Sequence, residues 1–351
     1  IKIMAYSSIA KPTDYFNTVL WTGNGSTMTI TGVGFNADLV WVKLRSGSDD
    51  NRLFDQVRGI NKYVISNSNS TETTDAILST TSDGYNLASA GEVTANGGTF
   101  VGWNWKANGA GSSNSDGTIA STVSVNTTAG FSIVSYVGGG ASSATVGHGL
   151  GTTPAMIIIK NRQNDPEWRV WHQDLSGSTY KLRLNGTEAQ DSSATVFNGQ
   201  SATTFTVGND PSVSGSGNNI IAYCFKEVKG YSKFGSYTGN GNANGAFVYT
   251  GFKPAFTIFK RSSGTGGWII HDNKRSESDG NNTLRKYLVA QTNGAEGTDD
   301  FFTIDHLSNG FKLRATDGES NASGSTYIYM AFAENPFVGN VSGTAVPVTA
   351  R

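Results

Sequence analysis

Residues 19–43 read VLWTGNGSTMTITGVGFNADLVWVK, and this stretch decides the fold because the chain says it again twice. Residues 134–160 read VSYVGGGASSATVGHGLGTTPAMIIIK, and residues 235–260 read GSYTGNGNANGAFVYTGFKPAFTIFK. In each passage an aromatic leads into a Gly-rich turn. A second turn closes on Gly and an apolar residue, and an apolar run then ends in Lys. The spacing is 22 residues from Trp21 to Lys43, 24 from Tyr136 to Lys160 and 23 from Tyr237 to Lys260. Such a repeat describes one structural unit used three times, and it points away from a single enzyme active site.

Each unit closes on a second phrase: GGTFVGWNWKA at 97–107, NNIIAYCFKEV at 218–228 and STYIYMAFAEN at 325–335. Period-two alternation puts Phe100, Gly102 and Asn104 on one face and Val101, Trp103 and Trp105 on the other, so these are strands with two usable faces. Shorter strand candidates lie between the phrases, separated by Gly, Asn, Asp and Ser. They are Lys62–Ser66, Arg169–Trp171, Tyr180–Leu184, Thr203–Val207, Trp268–Ile270, Lys286–Ala290 and Phe301–Ile304, with Gly84–Leu87 and Gly310–Leu313 as a matched pair. Helix is confined to short pieces near Thr71–Leu78, opened by a T-x-x-D pattern, and near Thr283–Tyr287. A unit of roughly 100 residues with about seven strands closes as a barrel or as two packed sheets. The expected fold is all-β: three tandem antiparallel β-sandwich units with jelly-roll connections and little helix. The expected boundaries are 1–107 for unit one, a Ser/Gly-rich linker at 108–130, 131–229 for unit two, 230–337 for unit three and an extended tail at 338–351.

Bulk composition narrows the function classes. Among 351 residues, 26 are basic and 27 acidic, for a net charge of -1, and only 15% are charged. No basic excess offers nucleic acid an electrostatic footprint. No apolar run is long enough for membrane insertion as a helix. Cys224 is the single cysteine, so no disulfide forms within the chain, and its apolar neighbours make it a small buried hydrophobe.

The strongest site candidates follow the Lys-terminated strand. Unit two reads PEWRVWHQD, with Trp168, Trp171, His172 and Asp174; unit three reads GGWIIHDNKR, with Trp268, His271, Asp272 and Arg275; unit one reads NRLFDQVRG, with Phe54, Asp55 and Arg58. An aromatic beside an acid or amide suits a sugar: the ring covers the CH face and the polar neighbour takes hydroxyls. The competing reading makes Trp168 and Trp268 core plugs, with His and Asp capping a turn, and recurrence in every unit favours it. Lys43, Lys160 and Lys260, followed by Arg45, Arg162 and Arg261, could form a phosphate or carboxylate site, but they read better as register stops whose ammonium groups reach water over an apolar stem. Asp49–Asp50 and Asp299–Asp300 read as solvated acids more than as Ca²⁺ ligands. Four scattered histidines offer no metal spacing, and His148 has no counterpart in the other units. No nucleophile elbow, zincin motif or P-loop occurs, so neither enzyme chemistry nor a cofactor is expected.

The phrases KPTDYFNTVLWTGNG, GVGFNADLVWVK, TFVGWNWKANG, TVGHGLGTTPAMIIIKNR and YIYMAFAENP together resemble an uncharacterised family of repeat domains. That family occurs in virion structural proteins of marine and cyanobacterial tailed bacteriophages. The resemblance spans essentially the whole chain and transfers no binding residues. It implies a virion location and lectin-like β-sandwich units in a tail fibre, surface adhesin or capsid-surface protein. The implied partners are other virion proteins, further copies in a homo-oligomer such as a trimer, and host surface glycans. A purely architectural head, neck or tail component is the alternative. A tailspike polysaccharide-degrading enzyme ranks last, because no aromatic-flanked acid pair presents itself.

Overall fold

A computed structural model describes residues 7–74, 76–164, 166–275, 282–298 and 300–336, with the backbone of 338–341 and 344–347. In it the two repeated phrases of each unit lie side by side. Strand Thr99–Trp105 pairs antiparallel with Phe16–Thr22 on one side and Leu39–Leu44 on the other. Asn219–Phe225 sits in the same way between Phe131–Val137 and Met156–Asn161. Thr326–Pro336 sits between Ser232–Thr238 and Phe252–Arg261. Further strands extend each triplet into a six-stranded sheet. A smaller sheet accompanies each: Met28–Ile30, Gly84–Leu87 and Ile77–Thr81 in unit one, Ala144–Gly147, Thr204–Val207 and Phe197–Gln200 in unit two. In unit three it holds Phe247–Tyr249, Gly310–Leu313, Ile304–Leu307 and Thr283–Leu284. The protein is therefore mostly antiparallel β-sheet, and Gly84–Leu87 and Gly310–Leu313 are indeed matched strands.

Alternation along the central strands feeds two different cores. In unit one Val40, Val42 and Phe100 pack with Ile30, Tyr85 and Leu87 of the small sheet. The opposite face, with Leu39, Trp41, Trp103 and Trp105, joins a core shared by all three units. Met156, Ile158, Tyr223 and Phe225 enter it from unit two, and Phe256, Ile258, Met330 and Phe332 from unit three. Rings from different units meet there: Phe16 and Phe332 stack at 5.0 Å, and Trp105 lies 5.9 Å from Phe256 and 6.5 Å from Phe225. Removing this much aromatic surface from water in one place ties the stability of each unit to the other two.

The repeated aromatic and its glycine hold a short helix against each large sheet. Trp21 Nε1 donates to Val93 O at 2.8 Å, Tyr136 Oη to Val213 O at 2.7 Å and Tyr237 Oη to Ser320 O at 2.8 Å. These acceptors lie in helices Gly91–Thr94, Pro211–Ser214 and Gly318–Asn321. The glycine two residues after each aromatic meets the backbone just past the helix. A Cβ at Gly23, Gly138 or Gly239 would lie 2.2, 2.3 or 2.4 Å from Ala95 O, Gly215 O or Ala322 O.

Three expectations need correction. The proposed helix near Thr71–Leu78 is replaced by strands Thr73–Thr74 and Ile77–Thr81, and that near Thr283–Tyr287 by Thr283–Leu284 and Lys286–Val289. Thr and other β-branched residues there fit pleated pairing better than a helical turn. The 108–130 stretch is no loose linker. Its strands Ser112–Asn114 and Ser121–Asn126 add to the edge of Phe131–Val137 and extend the sheet of unit two. The tail doubles back, with Val338–Val341 paired antiparallel to Thr344–Pro347.

Candidate functional site

The polar residues of the repeat converge on three seams where the units meet, and each seam repeats the same hydrogen bonds. At the first seam Trp168 of unit two donates from Nε1 to Ile65 O of unit one at 2.8 Å. Its register equivalents do the same at the others. Trp268 donates to Arg183 O at 2.7 Å across the second seam, and Asn51 Nδ2 to Thr292 O at 2.8 Å across the third. The lysines follow the same cycle. Lys160 Nζ reaches Asn69 O at 2.6 Å, Lys260 reaches Glu188 O at 2.9 Å and Lys43 reaches Asn293 O at 2.8 Å. All three lysines are fully buried, which overturns the expectation that they snorkel to water. Burial lowers the pKa of Lys43 and of Lys260 to about 8, against the pull of nearby carboxylates.

A charged network lies beneath these staples at two of the seams. At the third, Asp272 is buried against Arg275, whose Nη1 reaches Glu296 at 3.1 Å and whose Nη2 holds Ile270 O at 3.0 Å. Unit one completes it: Arg45 grips Glu296 through Nε at 2.8 Å and Nη2 at 3.0 Å, and Trp103 Nε1 donates to Asp272 at 3.0 Å. At the first seam Asp55, Arg58 and Glu72 copy that arrangement, with Arg162 on Glu72 and Tyr223 Oη donating to Asp55 at 2.9 Å. Burial disfavours the Glu72 carboxylate, but Arg162 and Arg58 outweigh it and hold its pKa below the usual range.

The second seam carries the same positions in uncharged form. His172 stands in register with Asp55 and Asp272, and Leu175 with Arg58 and Arg275. Gln190 and Ser262 replace the Glu–Arg clasp while keeping its backbone bond, Gln190 N to Ser262 O at 2.9 Å. The His172 ring accepts from Asp174 N at Nδ1 and lies 3.1 Å from Tyr329 O at Nε2, so the proton sits on Nε2 and the ring is neutral. Burial accordingly lowers its pKa to about 4.

Six of the seven residues expected to meet a sugar are covered. Trp168 and Trp268 lie in the shared core, and Trp171 faces the other way into the core of unit two. His172 and Asp272 belong to the seams, and buried His271 stacks on Phe259 at 5.8 Å. Asp174 alone is exposed, so the seven do not form one open site. The aspartate-to-arginine spacing of Asp55–Arg58 and Asp272–Arg275 was visible in the sequence. Arg45 and Arg162 were visible too, as the arginines that follow the repeated lysines, but the carboxylates they hold, Glu296 and Glu72, were not, because they lie far along the chain and gave no local signal. Among the acid pairs, Asp49 is held by Arg52 at 3.0 Å and Asp50 accepts from Asn67 at 2.7 Å. Asp299 lies outside the described residues. Among the described residues no three His, Cys, Asp or Glu side chains converge on a metal position.

Three repeats that share one core and one cycle of seams make a single domain-sized match meaningful. The chain belongs to the DUF7483 family. That family, a domain of unknown function, matches residues 11–336, through all three repeats and both junctions between them. No curated protein matches the chain.

Proposed function

We propose that this chain is a non-enzymatic structural protein of a bacteriophage virion, of the tail-fibre or surface-adhesin kind. The observation that carries the proposal is where the repeated polar residues go. Lys, Trp and the carboxylate–arginine groups are consumed in joining the units, which suits a rigid module built to hold shape. We read each unit as a lectin-like β-sandwich, since a small sheet packs on the outer face of each large one. The phage resemblance of the repeated phrases supplies the virion context. Immunogold labelling of purified particles with an antiserum against this chain tests the proposal. Labelling at a fixed place on the particle is expected, and recovery of the protein only in the soluble lysate would remove it.

The architectural alternative gains from one observation. Burial of Trp168, Trp171, His172, Trp268, His271 and Asp272 leaves those loops no aromatic face for a glycan. Host-cell binding by the purified chain separates the readings: adhesion supports the first, and its absence beside particle labelling supports architecture.

A further inference from the structure

The strands Met28–Ile30, Ala144–Gly147 and Phe247–Tyr249 each form one edge of a small sheet, and the three units treat that edge differently. An open edge offers unpaired backbone groups to any second strand, so natural sheets cover it or make it polar. Thr29, Thr145 and Phe247 hold the same register position, opposite Asn86, Thr206 and Lys312. In unit two the chain itself covers the edge. Ile119 N donates to Thr145 O at 3.0 Å, Thr145 N to Thr118 Oγ1 at 2.9 Å and Ser121 Oγ to Gly147 O at 3.2 Å. In unit one the edge is polar, with Thr29 and Thr31 exposed.

Unit three has neither protection. Among the described residues, Gly310–Leu313 is the only strand paired with Phe247–Tyr249. Leu313 N donates to Ala246 O at 3.0 Å and Thr250 N to Asn309 O at 3.0 Å. Antiparallel alternation therefore turns the N–H and C=O of Phe247 to the open side, as it does those of Thr145 in unit two. Val248 points into the core of unit three, so the rings of Phe247 and Tyr249 stand on the outer face, 47% and 56% exposed. Phe, Val and Tyr are strong strand formers, and Ala246–Tyr249 carries no charge to repel a neighbour. The nearby ammonium of Lys312 is held by Asn244 Oδ1 at 2.6 Å.

We propose that this edge pairs antiparallel with the same edge of a second copy, about a two-fold axis at Phe247. Each Phe247 then donates its N–H to the C=O of the other, and the two rings meet on one face as a cross-strand aromatic pair. Unit two shows that polypeptide backbone docks at this position of the fold. A second copy is the partner that suits unit three, because an uncharged strand meets its like without repulsion and one contact closes two open edges. Edges this short bury well under the roughly 1,200 Å² of a stable interface, so the dimer is reversible, with a dissociation constant on the order of 100 µM. The test is sedimentation velocity of the intact chain from about 10 µM to about 1 mM, with hydrogen exchange read at the Phe247 amide. A dimer is expected at the upper end, with that amide protected as it forms. Phe247→Thr, which installs the residue of unit one, and Phe247→Pro, which removes the outward N–H, should each keep the chain monomeric at an unchanged thermal midpoint. If the proline variant does not fold, the threonine variant decides. A chain monomeric throughout, a dimer that persists in the folded variants, or one that leaves the Phe247 amide unprotected would overturn the proposal. It stands apart from the virion reading: a monomeric chain on labelled particles removes this contact alone, and a dimer absent from particles removes only the virion reading.

Discussion

Arg275 and its copy Arg58 are guanidinium groups with fully buried side chains, and neither could remain there without its aspartate and glutamate. Burial opposes the charge, and for Arg58 the Asp55, Tyr223 and Glu72 groups more than compensate. Glu296→Gln removes the anion shared by Arg45 and Arg275, and should destabilise the protein by about 3 kcal/mol in urea denaturation. Building the same clasp into the second seam, with Gln190→Glu and Ser262→Arg together, should change stability by less than about 1 kcal/mol. Desolvation there offsets the new attraction. His172 makes the second seam the acid-sensitive one. Its pKa is about 4 in the fold against the usual 6.5, so the unfolded chain binds the proton first as pH falls. The His172 contribution to stability is therefore full above pH 6.5, declines between 6.5 and 4, and has lost roughly 3 kcal/mol by the lower end. His172→Gln should flatten that part of the stability–pH curve in urea titrations, and an unchanged slope would contradict the assignment. Buried His148, His271 and His306 are also lowered by desolvation and should leave part of the slope in place.

The short helices and their glycines set the geometry of each element. Gly23→Ala would drive a Cβ to 2.2 Å from a backbone oxygen, which no rotamer can relieve, so the helix Gly91–Thr94 must detach or the strand must shift. Expression with a strongly lowered thermal midpoint is expected, and the same for Gly138→Ala and Gly239→Ala. Gly91→Ala, with nothing within 4 Å of the new Cβ, should raise stability by up to about 1 kcal/mol through helix propensity. At this scale much was legible in the sequence. The repeated aromatic, the apolar run and the alternating closing phrase all lie in strands, and the glycine after each aromatic falls just past its strand, where a turn was expected. The errors came from residues whose local preference is weak. Thr71–Leu78 carries a capping signal but pairs as strand, because tertiary context overrides a marginal propensity. The Ser/Gly-rich 108–130 stretch buries little of its own, and it is ordered by pairing with Phe131–Val137.

Across the whole molecule the repeat has a consequence that no single unit displays. The inner faces of three sheets close on one another, and alternation alone cannot say whether a buried face meets its own unit or a neighbour. Hence Trp168 and Trp268 were readable as buried or as sugar-facing, while the carbonyls they bond lie 103 and 85 residues away. If the units are one body, they should unfold as one. Differential scanning calorimetry of the intact chain tests this most directly. A single transition with a calorimetric-to-van't Hoff enthalpy ratio of about 1 is expected. Separate transitions, or a ratio near about 3, would mean three independently folding units and would contradict the shared core.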